Sequence, residues 1–130
     1  MILVDSSIWI MTARVRGLSV ADMVPFDEVV TCPPIVQEVL QGAQDERVFR
    51  SVRDSLLALP MLDDPMPSEL FLEAAQIYRT GRRQGYTIRS SVDCLIAACA
   101  IRNAVPLLHN DHDFAILAAF TTLDARNALQ

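Results

Sequence analysis

Five acidic residues in four separate segments each border an apolar stretch. Asp5 closes MILVD, Glu38 lies in PPIVQEVLQG, Asp93 in RSSVDCLIAACA, and Asp111 and Asp113 in LLHNDHDF. Carboxylates are seldom buried without a partner, because an unpaired ion in a low-dielectric interior is very costly. Four such segments point to one shared site whose partner is a cation. Each acid also has an ordinary explanation. Asp5 can be an acceptor closing a strand, and Glu38 a solvated helix residue. Asp93 is the third helical residue of an SSVD capping box, Asp111 an N-cap, and Asp113 a first-turn acid favoured by the helix dipole. These readings account for the acids singly but not for their falling at one edge of the fold. His109 and His112 flank Asp111, yet no Cys pair or second His cluster supports a zinc site.

The elements that must position these acids alternate between strand and helix. Residues 1–5 are apolar and β-rich, as in a buried parallel strand, and a short helix follows from Ser6 or Ser7. The stretch from Gly17 to Asp27 is less distinct and has room for another helical turn. EVVTC (28–32) reads as a second strand, and Pro33-Pro34 fits the start of a helix, where a missing N–H is harmless. Residues 45–58 carry Val48, Val52 and Leu56 at helical spacing, and Met61-Leu62 reads as a short strand. A long helix is expected over 68–81, with GRRQGYTIR as a polar turn or fraying end. Ser90 or Ser91 opens a helix through Arg102, residues 105–108 make a strand, Asp111 begins a last helix, and 120–123 an edge strand. Such βαβ alternation predicts one α/β domain over residues 1–130, a central parallel sheet with helices on both faces. Sites in these folds form beyond the carboxyl ends of the strands, near the switch in strand order. Asp5 and Asp111 lie at strand ends, and Glu38 and Asp93 in early turns of helices.

Bulk properties narrow the function classes. A chain of 130 residues with 52% hydrophobic residues buries one sizeable core. Its longest uninterrupted apolar run, 94–101, is far short of the roughly 20 residues that span a bilayer. The chain enters MILVD with no basic segment or cleavage site, so we expect no signal peptide and a cytoplasmic protein. Cys32, Cys94 and Cys99 form no CxxC pair and read as reduced core thiols. The net charge of −5 argues against a broad basic coat for nucleic acid, although a bound divalent cation would offset several acids. All 11 basic residues are arginine. The lack of lysine excludes a P-loop and Schiff-base chemistry. Four of those 11, Arg79, Arg82, Arg83 and Arg89, lie in one stretch bordering Asp93 and are candidates for phosphate contact. The alternative for Arg82-Arg83 is a solvated helix C-terminus.

Taken in order, MILVDSSIWI, CPPIVQEVLQGA, TIRSSVDCLIAACAIR and LLHNDHDF resemble the PIN-domain family, specifically the VapC toxins of bacterial toxin–antitoxin pairs. The resemblance covers essentially the whole chain. It implies a metal-dependent endoribonuclease, a homodimer within a larger complex, restrained by a small antitoxin. It carries the family's acidic quartet onto Asp5, Glu38, Asp93 and Asp111 as catalytic residues. Asp5, Asp93 and Asp111 would hold the metal, with Glu38 and Asp113 auxiliary. Ser7 matches the family's small hydroxyl and joins Arg82, Arg83 and Arg89 as a substrate-binding candidate. Hard oxygen donors suit Mg2+, with Mn2+ able to substitute, one ion or two. The ion's contribution would be to activate water for in-line attack at phosphorus. A basic antitoxin side chain among the acids would compete with metal. Ile8, Trp9 and Met11 fit either an antitoxin groove or core packing.

Two rival classes follow. One is a catalytically silent PIN scaffold that only binds its partner, against which the intact quartet argues. The other is a receiver-like or phosphatase-like phosphoacceptor domain, which the absence of lysine disfavours.

Overall fold

The computed structural model describes residues 1–128. Its sheet has four strands, β1 (Ile2–Val4), β2 (Val29–Val30), β3 (Leu107–His109) and β4 (Ala125–Asn127), in the order β2-β1-β3-β4 with every pair parallel. Among the described residues six α-helices flank it: α1 (Ser6–Arg14), α2 (Pro33–Gln41), α3 (Glu46–Leu57), α4 (Ser68–Arg83), α5 (Ser91–Arg102) and α6 (His112–Phe120). The chain passes from β1 to β2 on one side and then crosses to β3 on the other. The switch in strand order therefore lies between β1 and β3, where α/β folds open a crevice.

Side-chain alternation explains why both faces are covered. Leu3, Val30 and Leu107 enter the larger core with α4, α5 and α6, while Val4, Val29 and Leu108 enter a smaller one with Ile8 and Val20. Successive strand residues point to opposite faces, so a strand apolar throughout needs helices on both. Cys94 and residues 96–100 are all buried. That makes α5 the central helix, which brings its first turn close to the strand ends. All three cysteines are free and buried. No helix among the described residues is long and apolar enough to cross a membrane.

Several expectations shift. The helical turn that Gly17–Asp27 has room for forms as the 3-10 turn Val20–Asp22, and a second one, Phe26–Glu28, follows it. Met61 makes a single parallel bridge to Thr31 in place of a strand. The edge strand expected at 120–123 lies at Ala125–Asn127 instead. Phe120 completes α6, and Thr121 closes it, its hydroxyl donating to the Leu117 carbonyl at 2.7 Å and accepting from the Leu123 N–H at 3.2 Å. Burial of Leu123 in the core outweighs the β preference of that stretch. Ile8 is fully buried, and Trp9 packs against the core with its indole N–H on the Val4 carbonyl at 3.2 Å. Core packing therefore accounts for Ile8 and Trp9.

Helix α4 runs past the expected Gly81 to Arg83. A Cβ at Gly81 would stand 2.6 Å from Ile88 Cδ1 and 2.7 Å from Phe120 Cζ. The glycine thus lets the returning chain and α6 close onto α4, despite its poor helix propensity. Gly81→Ala is expected to destabilise the protein by about 1–3 kcal/mol, the range for overpacking a filled site. Urea unfolding checks this; an unchanged midpoint would show that the neighbours give way freely.

Candidate active site

The five acids converge at the carboxyl edge of the sheet, around the gap between β1 and β3. Asp5 follows β1 and caps α1, its Oδ2 accepting from the Ser7 N–H at 3.0 Å and the Ser7 hydroxyl at 2.5 Å. The same hydroxyl accepts from the Asn110 N–H at 3.0 Å. Ser7 therefore ties the end of β1 to the loop leaving β3. The neighbouring Ser6 hydroxyl donates to Glu38 Oε1 at 3.0 Å and draws that side chain of α2 toward Asp5. Glu38 lies in the second turn of α2.

Asp93 is the third residue of α5, but the capping box does not form: Ser90 makes no side-chain cap bond. Its carboxylate faces the other acids instead. Asp111 caps α6, its Oδ1 accepting the Asp113 N–H at 3.0 Å. Carboxylate oxygens of Asp93, Asp111 and Asp113 all lie within 4.8 Å of one another. Asp5 stands outside that group, yet it is only 2% exposed and its Oδ1 has no hydrogen-bond partner among the described residues.

The electrostatics follow from burial and crowding. Burial, reinforced by Asp111, Asp5, Glu38 and Asp113, pushes Asp93 up to about 8. Burial also raises Asp5, against the hydrogen bonds from Ser7 and Ser6 and with the help of Asp111. Glu38 is raised by burial, with Asp5 and Asp111 adding to it and the Ser6 bond opposing. Such mutual repulsion is what clustered carboxylates experience without a counter-cation.

Arg89 partly supplies one. Its N–H donates to Asp113 Oδ2 at 3.3 Å, its Nε to Oδ1 at 3.2 Å, and its Nη2 stands 4.0 Å from Asp111 Oδ1. With 69% of its side chain exposed, Arg89 still faces outward. Arg82 and Arg83, by contrast, pair with no acid among the described residues; Arg82 lies over the Tyr78 ring, 5.9 Å from its centroid. His109 is buried, packs on Phe114 and accepts the Asp111 N–H at Nδ1. Burial lowers its pKa against the pull of Asp5 and Asp111. A neutral ring with its proton on Nε2 positions Asp111. His112 is exposed.

The site suits a hard divalent cation. Three carboxylates lie within reach of one ion, with an orphaned carboxylate oxygen beside them and oxygen as the only donor type.

The family model for the PIN domain matches residues 2–119. The chain belongs to the PIN domain family. It is 39% identical to VapC ribonuclease Mb1587 of Mycobacterium bovis and to Ribonuclease VapC11 of Mycobacterium tuberculosis, over 96% of this chain and 97% of theirs. That identity places it among the VapC ribonucleases. Among solved structures, it resembles VapBC-1 from nontypeable Haemophilus influenzae (TM-score 0.75, 23% identity, all of both chains). It also resembles DNA-bound VapBC from Salmonella typhimurium (TM-score 0.78, 16% identity, 98% of this chain and 97% of that one). These structural likenesses bear on the fold.

Residue reading missed two parts of the VapC site. Ser6 was read only as a helix start, although two hydroxyls directly after an acid at a strand end signal more than a cap. Asn110 acts through its backbone N–H, which no side-chain pattern reveals.

Proposed function

We propose that this PIN-domain protein is the toxin of a toxin–antitoxin pair, an endoribonuclease dependent on Mg2+ or Mn2+. The observation that carries this reading is the convergence of Asp93, Asp111 and Asp113 within 4.8 Å, beside the buried, unpartnered oxygen of Asp5. Asp93, Asp111 and Asp113 hold the cation, with Asp5 and Glu38 completing the acidic wall. A bound cation supplies Lewis-acid polarisation of the phosphodiester and a water of lowered pKa. Ser7 and Ser6 do not touch substrate in this reading; they orient Asp5 and Glu38. Arg89, with an exposed guanidinium between the acids and solvent, binds a substrate phosphate while its backbone N–H keeps Asp113 in place.

The partners in this proposal are RNA, a second copy of the chain and a small antitoxin within a larger complex. The chain acts as one domain, in the cytoplasm. A basic antitoxin side chain entering the acidic cluster would take the place of the cation.

Purified protein incubated with RNA in Mn2+, and again in EDTA, tests the activity. Cleavage is expected only with the cation and is expected to cease in a stoichiometric complex with the antitoxin. Binding of antitoxin without any cleavage under either condition would favour the silent scaffold.

A further inference from the structure

The last turns of α4 and the segment that folds back beneath them enclose a cavity of about 150 Å3 lined by Tyr78, Arg82, Tyr86, Thr87 and Ile88. That is about five waters' worth of space, below the roughly 300–1,000 Å3 of drug-sized sites, and suits one flat ring. Phe120 backs the Tyr86 ring in a stack at 5.3 Å and 18°, and the tyrosine remains 36% exposed. Arg82 lies over the ring of Tyr78. No acidic residue is among the lining residues, in a chain of net charge −5.

The cavity is preformed. The Tyr86 N–H donates to the Gly81 carbonyl at 2.9 Å and the Gly85 N–H to Arg82 at 3.1 Å, a turn that needs the φ of +86° at Gly85. It is also tied to the acids. Ile88 is followed by Arg89, whose backbone and side chain both bond Asp113. Tyr86 and Arg89 are three residues apart, at most about 11 Å of extended backbone, a distance that neighbouring nucleotides of one strand span.

We propose that this cavity is a base-stacking subsite of the RNA strand. It takes one unstacked nucleobase against Tyr86, with Arg82 on an adjoining phosphate, while a neighbouring phosphodiester lies at the acids. The inference rests on the nuclease reading above. Aromatic faces accept any base, so the subsite holds the strand in register more than it selects sequence.

Short single-stranded RNAs carrying 2-aminopurine at successive positions test it, by fluorescence titration of the full chain in an Asp93→Asn background that stops cleavage. One position is expected to be quenched on binding, and the quench is retained by Tyr86→Phe. Tyr86→Leu is expected to lose it and to bind about tenfold more weakly, within the range for one lost base stack, with the salt dependence unchanged. Arg82→Gln is expected to reduce the salt slope by about 0.7, one single-strand phosphate. In the otherwise wild-type chain, Tyr86→Leu should raise KM about tenfold at nearly constant kcat. Thr87→Leu, at an exposed position in the lining, fills the cavity and should weaken binding even if Tyr86→Leu unfolds. Unchanged affinity and quench in a folded Tyr86→Leu or Thr87→Leu protein would overturn the subsite. So would weaker antitoxin binding with RNA affinity intact. Neither result touches the nuclease reading, which stands or falls on cleavage by the wild-type chain.

Discussion

Asp93→Asn is expected to abolish RNA cleavage and, in metal-free protein at pH 8, to raise the melting temperature. Amide replacement keeps the shape of the side chain but removes a charge that the surrounding acids oppose. Burial and four neighbouring carboxylates push Asp93 up to about 8, against an ordinary value of 3.8. A carboxyl raised in the folded state binds its proton more tightly there than when unfolded. Its contribution to stability is fully present below about 3.8 and is lost as pH rises through about 8. The variant has no such loss. The difference in melting temperature between variant and wild type in EDTA should therefore be small at pH 4 and widen steadily toward pH 8. Activity should move the opposite way. Losing an outer partner of a metal ligand costs roughly 10–100-fold, and removing a ligand should cost more. Melting curves in EDTA across pH and a cleavage assay in Mn2+ check both halves. A variant that cleaves at the wild-type rate would remove Asp93 from the machinery, and a constant melting difference across pH would refute the crowding.

Saturating Mg2+ or Mn2+ is expected to raise the melting temperature of the wild type by roughly 10 °C. An ion that binds only the folded state stabilises it by mass action, about 2.7 kcal/mol at a hundred times its dissociation constant. For a chain of this size each kcal/mol moves the midpoint by a few degrees, between the roughly 2–4 °C of larger domains and the 4–8 °C of smaller ones. The ion also relieves the repulsion among Asp93, Asp111 and Asp113, so the shift should grow with pH as Asp93 gives up its proton. Asp93→Asn should respond much less. Scanning calorimetry with and without the cation decides this; equal shifts in the two proteins would mean that the ion acts elsewhere.

Much of this was legible in the residues. The acids stood out because each borders an apolar run, and the strand–helix alternation of those runs predicts a parallel sheet whose carboxyl edge gathers them. Local signals of this kind depend on near neighbours, so α1, α2 and α5 begin close to where Asp5, Pro33 and Ser91 suggested. Other positions were decided by partners far away in the chain. Phe120 reads as strand in isolation, but stacking against Tyr86 from the end of α6 leaves the edge strand to residues 125–127.

The chain alone determined that Asp5, Glu38, Asp93, Asp111 and Asp113 sit next to buried elements, and that oxygen ligands without lysine limit the chemistry. Only the tertiary structure decided how they group. The order β2-β1-β3-β4 sets β1 beside β3 and so brings Ser7 to Asn110, across 103 residues, and the start of α5 to the start of α6. That packing puts Asp113 with Asp93 and Asp111, leaves Asp5 beside them with a buried free oxygen, and turns Arg89 onto Asp113. Spacing along the chain encodes periodicity and caps. Which carboxylates approach within an ion's reach depends on how strands and helices pack, which no local spacing specifies.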